Sequence, residues 1–420
     1  MIPAGTLPPQ DWLRAEETRA VLAALTAEGG EARFVGGCVR DAVLGRPVHD
    51  IDIATPEPPD RVMALLEAAG VHAVPTGIDH GTVTAVIGSA YFEVTTLRLD
   101  VETYGRHAQV RYTDDWLIDA ARRDFTINTL YCDLEGQIYD PHGGLADLRA
   151  GCVRFVGAAE ARIREDVLRL LRFFRFRAHY GVGEPDPEGL AACTRLAPLL
   201  DGLSGERVAG EMLRLLEALD PAAEIARMIE AGVIARLLPG TVRLNRLRAL
   251  VGVEAGLGEV DPLRRLGALL APETAEAVAS RLVLSNAESV RLARMNAPAA
   301  QVDGALDPAV QRLLIYRLGT ETFRDLVLLA WADAMEDGAA SNEPNWPAML
   351  DLAGRWTPPV LPVRGRDALA LGLAPGPAVG EALSRVEVWW MERDFAPERP
   401  AALAKLKEIV ATLADGAGKG

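Results

Sequence analysis

Two aspartates separated by a single residue carry the clearest chemical signal in the sequence, in the string Asp50-Ile51-Asp52-Ile53. Side chains alternate faces along a strand, so Asp50 and Asp52 would point one way and the isoleucines toward the core. Two like charges on one face repel each other unless a cation lies between them. Hard carboxylate oxygens suit Mg²⁺, which proteins usually share with substrate phosphates. The string therefore predicts a magnesium site with Asp50 and Asp52 as ligands, and Glu93 could supply a third carboxylate.

A glycine pair precedes this strand and could cradle phosphates. Gly36 and Gly37 come just before a predicted helix over Val39–Leu44, where backbone N–H groups would be available to an anion. Arg40 lies three residues after Gly37, within reach of a triphosphate. A DxD string alone is usually a surface feature, but its combination with the glycine pair at this spacing predicts phosphoryl transfer, with metal ions holding the attacking and leaving oxygens.

Two further polar runs contain candidate nucleotide-binding side chains: Arg122, Arg123, Asp124 and Asn128 in the first, and Asp166, Arg169, Arg172 and Arg175 in the second. Residues three apart on a helix fall about 60° from each other, so the second run predicts a slowly winding polar stripe opposite Leu170, Leu171, Phe173 and Phe174. A helix cap with salt bridges and an ordinary amphipathic helix remain the alternatives for these two runs.

The elements that must position these residues change character along the chain. The first 150 residues alternate between helix-like and strand-like segments, with strands predicted at Ala32–Val35, Asp50–Ala54, Thr82–Ile87 and Tyr91–Leu97. Asp100–Asp115 shows no clear periodicity and predicts a loop. After about Gly157 the pattern is helical almost throughout. The expected fold is α+β, with a head over 1–150, a helical neck over 151–220 and a helical body and tail over 221–420.

Composition narrows the classes of protein. The formal net charge is −15, yet Arg154–Arg177 is locally basic, so a nucleic-acid partner needs only that local surface. The four cysteines lie far apart without a CxxC pair, which fits a reducing cytoplasm better than a zinc or disulfide framework. No stretch predicts a transmembrane helix or a secretory signal, so no membrane association is expected. The sequence implies no protein partner.

The string Gly36-Gly37-Cys38-Val39-Arg40-Asp41, followed by Asp50-Ile51-Asp52-Ile53, resembles the polymerase-β-like nucleotidyltransferase superfamily, and within it the branch of class II CCA-adding enzymes and bacterial poly(A) polymerases. Arg122–Asn128 and Glu165–Arg175 resemble the second and third motifs of that branch. The resemblance implies a nucleotidyltransferase head followed by an all-α neck, body and tail. It also implies Mg²⁺-dependent addition of CCA to the 3′ end of tRNA from CTP and ATP.

The same resemblance implies roles for single residues. Asp50, Asp52 and Glu93 would be catalytic, and Asp166 and Arg169 would choose the base by hydrogen bonds to its Watson–Crick edge. The segment around Gly105, Arg106 and His107 resembles the flexible loop that is needed for adding the final A. Glu206–Glu211 resembles a fifth motif, whose helix braces the third.

Three alternatives stay open from the sequence. A poly(A) polymerase would use the same scaffold, although Val83–Ala90 lacks the basic residues expected for it. An enzyme that adds only the terminal A would share every motif. A noncatalytic RNA-binding protein would not need Asp50 and Asp52.

Overall fold

A computed structural model describes residues 1–104, 107–297, 302–336 and 345–417 of the protein. The chain forms two compact units: Met1–Gly240 together with Ser280–Leu284, and Thr241–Ala279 together with Ser285–Gly420. Among the described helices, none is both long and apolar enough to cross a bilayer. The predicted α+β class is confirmed, because every strand among these described residues belongs to the first unit, and the described part of the second unit is helical.

The strands of the first unit are β1 (Pro3–Thr6), β2 (Arg33–Val35), β3 (Ile51–Thr55), β4 (His72–Gly77), β5 (Thr82–Ile87), β6 (Ala90–Thr96), β7 (Arg98–Tyr104), β8 (His107–Tyr112), β9 (Tyr131–Cys132) and β10 (Gln137–Tyr139). Its helices are α1 (Asp11–Arg14), α2 (Glu16–Thr26), α3 (Gly37–Val43), α4 (Pro59–Ala68), α5 (Trp116–Ala121), α6 (Gly144–Ala150), α7 (Ala159–Glu165), α8 (Leu168–Tyr180), α9 (Pro187–Leu196), α10 (Gly205–Leu216), α11 (Ala222–Glu230) and α12 (Ile234–Leu237).

Eight strands form one sheet in the order β1-β10-β9-β2-β3-β6-β5-β4. Within the described strands, β3 and β6 are the parallel neighbours, and the other pairings are antiparallel. The central strands are apolar on their inner face, as Phe34, Ile53 and Val94 have no exposed surface. The predicted strand over Asp50–Ala54 is confirmed with a shift of one residue: Asp50 precedes β3, and Ile51 is half-buried instead of lying in the core.

The prediction of a loop over Asp100–Asp115 is wrong for most of that segment. β7 and β8 pair as an antiparallel hairpin, with Arg98 opposite Tyr112 and Tyr104 opposite His107. Cross-strand backbone bonds stabilise a hairpin without alternating hydrophobicity, which is why the polar pattern gave no strand signal. Gly105 and Arg106 of the expected flexible loop lie outside the described residues, and His107 begins β8.

The helix predicted to carry Asp166 is interrupted at that residue. α7 ends at Glu165 and α8 begins at Leu168, while Asp166 is extended at φ −146° and ψ 106°. Its Oδ1 accepts the backbone N–H of Leu168 at 3.1 Å. Aspartate competes for backbone N–H groups in this way at helix starts, so the polar stripe runs from Arg169 without Asp166. The apolar face is confirmed, because Leu170, Leu171, Phe173 and Phe174 are buried.

The second unit contains the helices α13 (Leu244–Leu257), α14 (Pro262–Leu269), α15 (Ala275–Leu282), α16 (Asn286–Met295), α17 (Pro308–Leu318), α18 (Thr320–Glu336), α19 (Trp346–Arg355), α20 (Gly365–Ala370), α21 (Pro377–Met391) and α22 (Arg399–Ala417), of which α15 ends within Ser280–Leu284 of the first unit. The carboxylate of Glu254 is fully buried and accepts from Arg264 at 2.8 Å and from Arg265 at 2.6 Å. α20, α21 and α22 enclose their own apolar cluster around Ala368, Val386 and Leu406.

Candidate active site

The parallel pair β3–β6 brings two predicted carboxylates side by side. Asp52 and Glu93 are register partners, so their side chains leave the sheet on the same face. Burial raises the pKa of Asp52 to about 6, and the charges of Glu93 and Asp50 add to the rise, while Arg123 and Arg40 oppose it. Three carboxylates therefore act on one another at this edge of the sheet, and a cation between them would relieve their repulsion.

This donor set fits a hard divalent cation. Carboxylate oxygens are the ligands that such ions prefer, and one or two carboxylates usually suffice because substrate phosphates complete the shell. In the described ranges, no three His, Cys, Asp or Glu side chains are close enough to hold an ion by themselves. The phosphates of a bound substrate would therefore have to contribute ligands beside Asp52.

The glycine turn lies at the same place as predicted. Gly36 has φ +73°, in the left-handed region that glycine tolerates, and its N–H donates to the carbonyl of Leu130 at 3.0 Å. A Cβ on Gly36 would lie 3.5 Å from Nη1 of Arg123. The backbone therefore passes within ordinary van der Waals contact of an arginine of the next motif, at the place where a phosphate would approach.

Most of the predicted site residues line one cavity of about 610 Å³. The predicted residues that line it come from all three motifs: Gly36, Gly37, Arg40, Asp52, Arg122, Arg123, Asp124, Asn128, Asp166, Arg169 and Arg172. Asp50, Glu93 and Arg175 do not line it. Asp50 is exposed just before β3, Glu93 is exposed beside Asp52, and Arg175 faces a neighbouring cavity.

A buried carboxylate fixes the two adjacent arginines. Asp119 accepts from Nε of Arg122 at 2.8 Å, from Nη2 of Arg123 at 3.1 Å and from the hydroxyl of Tyr131 at 2.7 Å. Burial acts to raise the pKa of Asp119, but the charges of Arg123 and Arg122 outweigh it, helped by the Tyr131 hydroxyl, and the pKa falls to about 2. Asp119 stays ionised and holds both guanidinium groups at the wall of the cavity.

A chain of hydrogen bonds connects α3 to α8 across the cavity. Arg40 donates through Nη1 to Oδ1 of Asn128 at 2.7 Å, and Nδ2 of Asn128 donates to Oδ1 of Asp124 at 2.9 Å. Arg172 donates through Nε to Oδ2 of Asp124 at 2.7 Å. Asp124 is buried, and although burial acts to raise its pKa, Arg172 and Asn128 hold the pKa below its usual value. These four residues therefore form one hydrogen-bonded wall of the cavity.

The side chains expected to read a base are already held by protein partners. Arg207 of α10 donates through Nη2 to both carboxylate oxygens of Asp166 at 2.9 Å. Arg169 donates to Oε2 of Glu165 at 2.7 Å and to the carbonyl of Arg122 at 3.0 Å. α10 packs against α8, as the resemblance implied for Glu206–Glu211. Both groups keep defined positions in the cavity.

Sequence reasoning missed several residues of the site. Asp119 stands four residues before Arg123, a spacing that pairs charges on a helix and could have identified it. The resemblance predicts only a bracing role for the helix of Arg207, but this arginine also lines the cavity. Arg98 and Phe176 line the cavity too, and nothing in their local sequence distinguished them.

Models of two domain families match parts of the chain. The Poly A polymerase head domain matches residues 32–154, and the probable RNA and SrmB-binding site of polymerase A matches residues 184–244. The mitochondrial CCA tRNA nucleotidyltransferase 1 of Danio rerio is 32% identical over 389 residues, which cover 90% of this chain and 87% of that protein. The CCA-adding enzyme of Levilactobacillus brevis is 30% identical over 398 residues, covering 94% and 98%.

Among solved structures, the CCA-adding enzyme of Bacillus stearothermophilus in complex with CTP superimposes with a TM-score of 0.74 at 27% identity. The match covers 96% of this chain and 98% of that one. The likeness therefore extends through the helical second half, which the sequence motifs did not reach.

The head domain, the paired carboxylates and the arginine-lined cavity define a nucleotidyltransferase. The chain belongs to the family of CCA-adding enzymes, the tRNA nucleotidyltransferases. Enzymes of this family generally use a divalent metal ion, which the carboxylates around Asp52 fit. The names of these relatives do not favour the poly(A) polymerase alternative.

Proposed function

We propose that this enzyme adds CCA to the 3′ end of tRNA, using CTP and ATP and no nucleic-acid template. The observation that supports this most directly is the single cavity in which Asp52, Arg123, Asp166 and Arg169 meet. It joins a carboxylate edge for phosphoryl transfer to side chains that can pair with a base. The CTP complex of the Bacillus relative and the names of the other relatives agree with these substrates.

Asp50 and Asp52 would hold Mg²⁺, with Glu93 as a third carboxylate. When bound, the ion supplies charge neutralisation for the 3′-hydroxyl of the RNA and the phosphates. The side chains around it do the positioning. The Gly36–Gly37 turn and the guanidinium groups of Arg122 and Arg123 would orient the triphosphate, so that its α-phosphorus faces the incoming hydroxyl.

No covalent intermediate on the protein is required. The ribose 3′-oxygen forms the new bond to the α-phosphorus, pyrophosphate leaves, and the hydroxyl proton passes to water or to a nearby carboxylate. Oriented arginines stabilise the charge that accumulates on the phosphates. Arg40, Asn128, Asp124 and Arg172 would keep that wall of the cavity fixed during three successive additions.

Base choice would rest on Asp166 and Arg169. A carboxylate accepts hydrogen bonds and a guanidinium donates them, so the pair can match the Watson–Crick edge of cytosine or adenine. Arg207 already donates to both oxygens of Asp166, and Leu168 N–H donates to Oδ1, so Oδ2 keeps a second lone pair for a base N–H. The protein contacts would thereby fix which acceptor the base meets.

The division into a head over 1–150, a neck over 151–220 and a tRNA-binding body and tail over 221–420 is part of this proposal. So is the role of Gly105, Arg106 and His107 in adding the final A. All four cysteines are free thiols, which supports a reducing compartment such as the cytoplasm.

A primer-extension gel tests the proposal, with Mg²⁺, CTP, ATP and a tRNA transcript that lacks its last three nucleotides. We expect three additions that stop there and need both nucleotides. A long ladder from ATP alone would establish a poly(A) polymerase instead. A single addition, obtained only when the transcript already ends in CC, would mean an enzyme for the terminal A.

A further inference from the structure

A second cavity of about 230 Å³ lies beside the catalytic one and shares Arg40 and Phe176 with it. Arg175, His179 and Tyr180 line it from one face of α8, and Arg214 lines it from α10. The mechanism proposed above gives this cavity no part. Arg175 was predicted to bind the nucleotide, yet the structure turns it into this neighbouring space.

Aromatic rings contact two of the arginines that line this cavity, Arg40 and Arg175. The guanidinium carbon of Arg40 lies 4.1 Å from the ring centroid of Tyr180. The guanidinium carbon of Arg175 lies 4.7 Å from the centroid of Phe176. Stacked guanidinium groups are already ordered, so they lose less conformational entropy when they bind an anion.

Of the three arginines that line this cavity, two have a carboxylate partner. Arg40 pairs with Asp41 and Arg175 with Glu211, and Glu217 also lines the cavity. Arg214 is exposed, and in the part of the chain that the structure describes no carboxylate lies within ion-pair distance of it.

The pKa of Arg175 supports this account of the charge. Burial lowers the pKa of Arg175, and the neighbouring charges of Arg172 and Arg214 lower it further, against the opposing effect of Glu211. An anion in this cavity would therefore be stabilised by the surrounding arginines.

We infer that this cavity binds a phosphodiester group of the RNA substrate close to its 3′ end, through Arg175 and Arg214. The inference rests on the proposed function for the presence of RNA. Arg40 and Phe176 line both cavities, so the two cavities are adjacent. An RNA whose 3′-hydroxyl reaches Asp52 in the first cavity would therefore extend past these residues into the second. A nucleoside triphosphate shares the phosphate chemistry, but Arg122 and Arg123 already serve it in the catalytic cavity.

The test compares Arg214→Gln with Arg149→Gln, an exposed arginine on α6 that lines neither cavity. RNA affinity is measured by fluorescence anisotropy on a tRNA transcript lacking its last three nucleotides, without nucleotide or metal, over a range of salt concentrations. We expect Arg214→Gln to weaken binding by about 3- to 10-fold and to reduce the slope of log affinity against log salt by about 0.7–1, as for one lost phosphate contact. Arg149→Gln should match the wild type.

Steady-state kinetics distinguish a phosphodiester of the RNA from the triphosphate of the nucleotide as the group that this cavity binds. We expect the KM for tRNA to rise in Arg214→Gln and the KM for CTP to stay within about twofold. Arg214→Lys should restore most of the RNA affinity, because an ammonium group also neutralises a phosphate. Unchanged RNA affinity and salt slope would overturn the inference. A raised KM for CTP with unchanged RNA affinity would assign the cavity to the triphosphate and overturn it too. If Arg214→Gln weakened RNA binding but the wild type added no nucleotides, the proposed function would be refuted and this inference would not.

Discussion

Arg207 and Asp166 are joined by two hydrogen bonds of 2.9 Å, both from Nη2 of the arginine, which connect α10 to the junction between α7 and α8. Asp166 lies in extended backbone at that junction, where its Oδ1 also accepts the N–H of Leu168 at 3.1 Å. Arg207 and this backbone N–H together set the direction in which the carboxylate faces the cavity.

We expect Arg207→Gln to lower kcat/KM for CTP and ATP by about 10- to 100-fold, since a charge-assisted hydrogen bond contributes about 1.5–3 kcal/mol. Discrimination against UTP and GTP should narrow, because a mobile Asp166 no longer presents one acceptor position. Single-nucleotide incorporation assays measure both effects. Glu206→Gln, an exposed neighbour on the same helix, is the control. Unaltered discrimination in Arg207→Gln would show that Asp166 does not depend on its partner.

Asp52→Asn should abolish nucleotide addition and also stabilise the metal-free protein. The pKa of Asp52 is raised to about 6 in the fold, above the value near 4 of an unfolded aspartate. The wild type should therefore lose up to about 3 kcal/mol of unfolding free energy as pH rises from about 4 to about 6, a loss the amide does not suffer. Thermal melts in a chelator across this range measure it.

Adding Mg²⁺ to the same two proteins tests whether Asp52 is a metal ligand. Mg²⁺ should raise the Tm of the wild type at pH 7.5 and leave that of Asp52→Asn unchanged, because a ligand that binds only the folded state stabilises it. Glu67→Gln, which removes an exposed acid on α4, should behave as the wild type. An equal shift in Asp52→Asn would place the ion elsewhere.

Asp119 gives the opposite dependence on pH. Its pKa is lowered to about 2, so it contributes stability that is fully present above about pH 4 and is lost as pH falls toward 2. The loss should be about 2 kcal/mol, and Asp119→Asn should abolish this part of the acid sensitivity. Acid titration followed by circular dichroism measures it, with Asp114→Asn as an exposed control.

The same variant should bind nucleotides poorly, because Arg122 and Arg123 lose the carboxylate that orients them. We expect the KM for CTP to rise at least tenfold in Asp119→Asn. A normal KM would mean that the two arginines are positioned by other contacts.

Gly36→Ala and Gly45→Ala form a matched pair. Both glycines have left-handed backbone, at φ +73° and +65°, so alanine should cost each fold about 1–2 kcal/mol. Nothing lies within 4 Å of a Cβ on Gly45, whereas one on Gly36 would sit beside Arg123 in the catalytic cavity. Only Gly36→Ala should lower activity, by at least tenfold in kcat/KM for CTP. If the two variants had equal activity per folded molecule, the Gly36 turn would have no part in nucleotide binding.

Much of the head followed from local pattern. The glycine turn, β3, β5 and β6 lie within a residue of their predicted positions, because tight turns and buried strands leave strong traces in sequence. The convergence of the three motifs on one cavity was also expected. That expectation came from the resemblance, since no local pattern places Asp52 and Arg169 in the same cavity.

The errors have physical causes. Asp166 lies off the helix because its carboxylate binds the N–H of Leu168, a choice that helical periodicity cannot detect. The β7–β8 hairpin depends on pairing between two strands that are each polar. The contacts of Arg207 and Arg214 depend on how α10 packs against α8, and such tertiary contacts leave no local signal.

The parallel pairing of β3 with β6 has a consequence for how the enzyme is made. Parallel neighbours cannot be joined by a tight turn, so α4, β4 and β5 intervene between Asp52 and Glu93. A chain emerging from the ribosome therefore exposes both aspartates before Glu93, their proposed third carboxylate, has been made. We expect the three carboxylates to come together only after that crossover has folded.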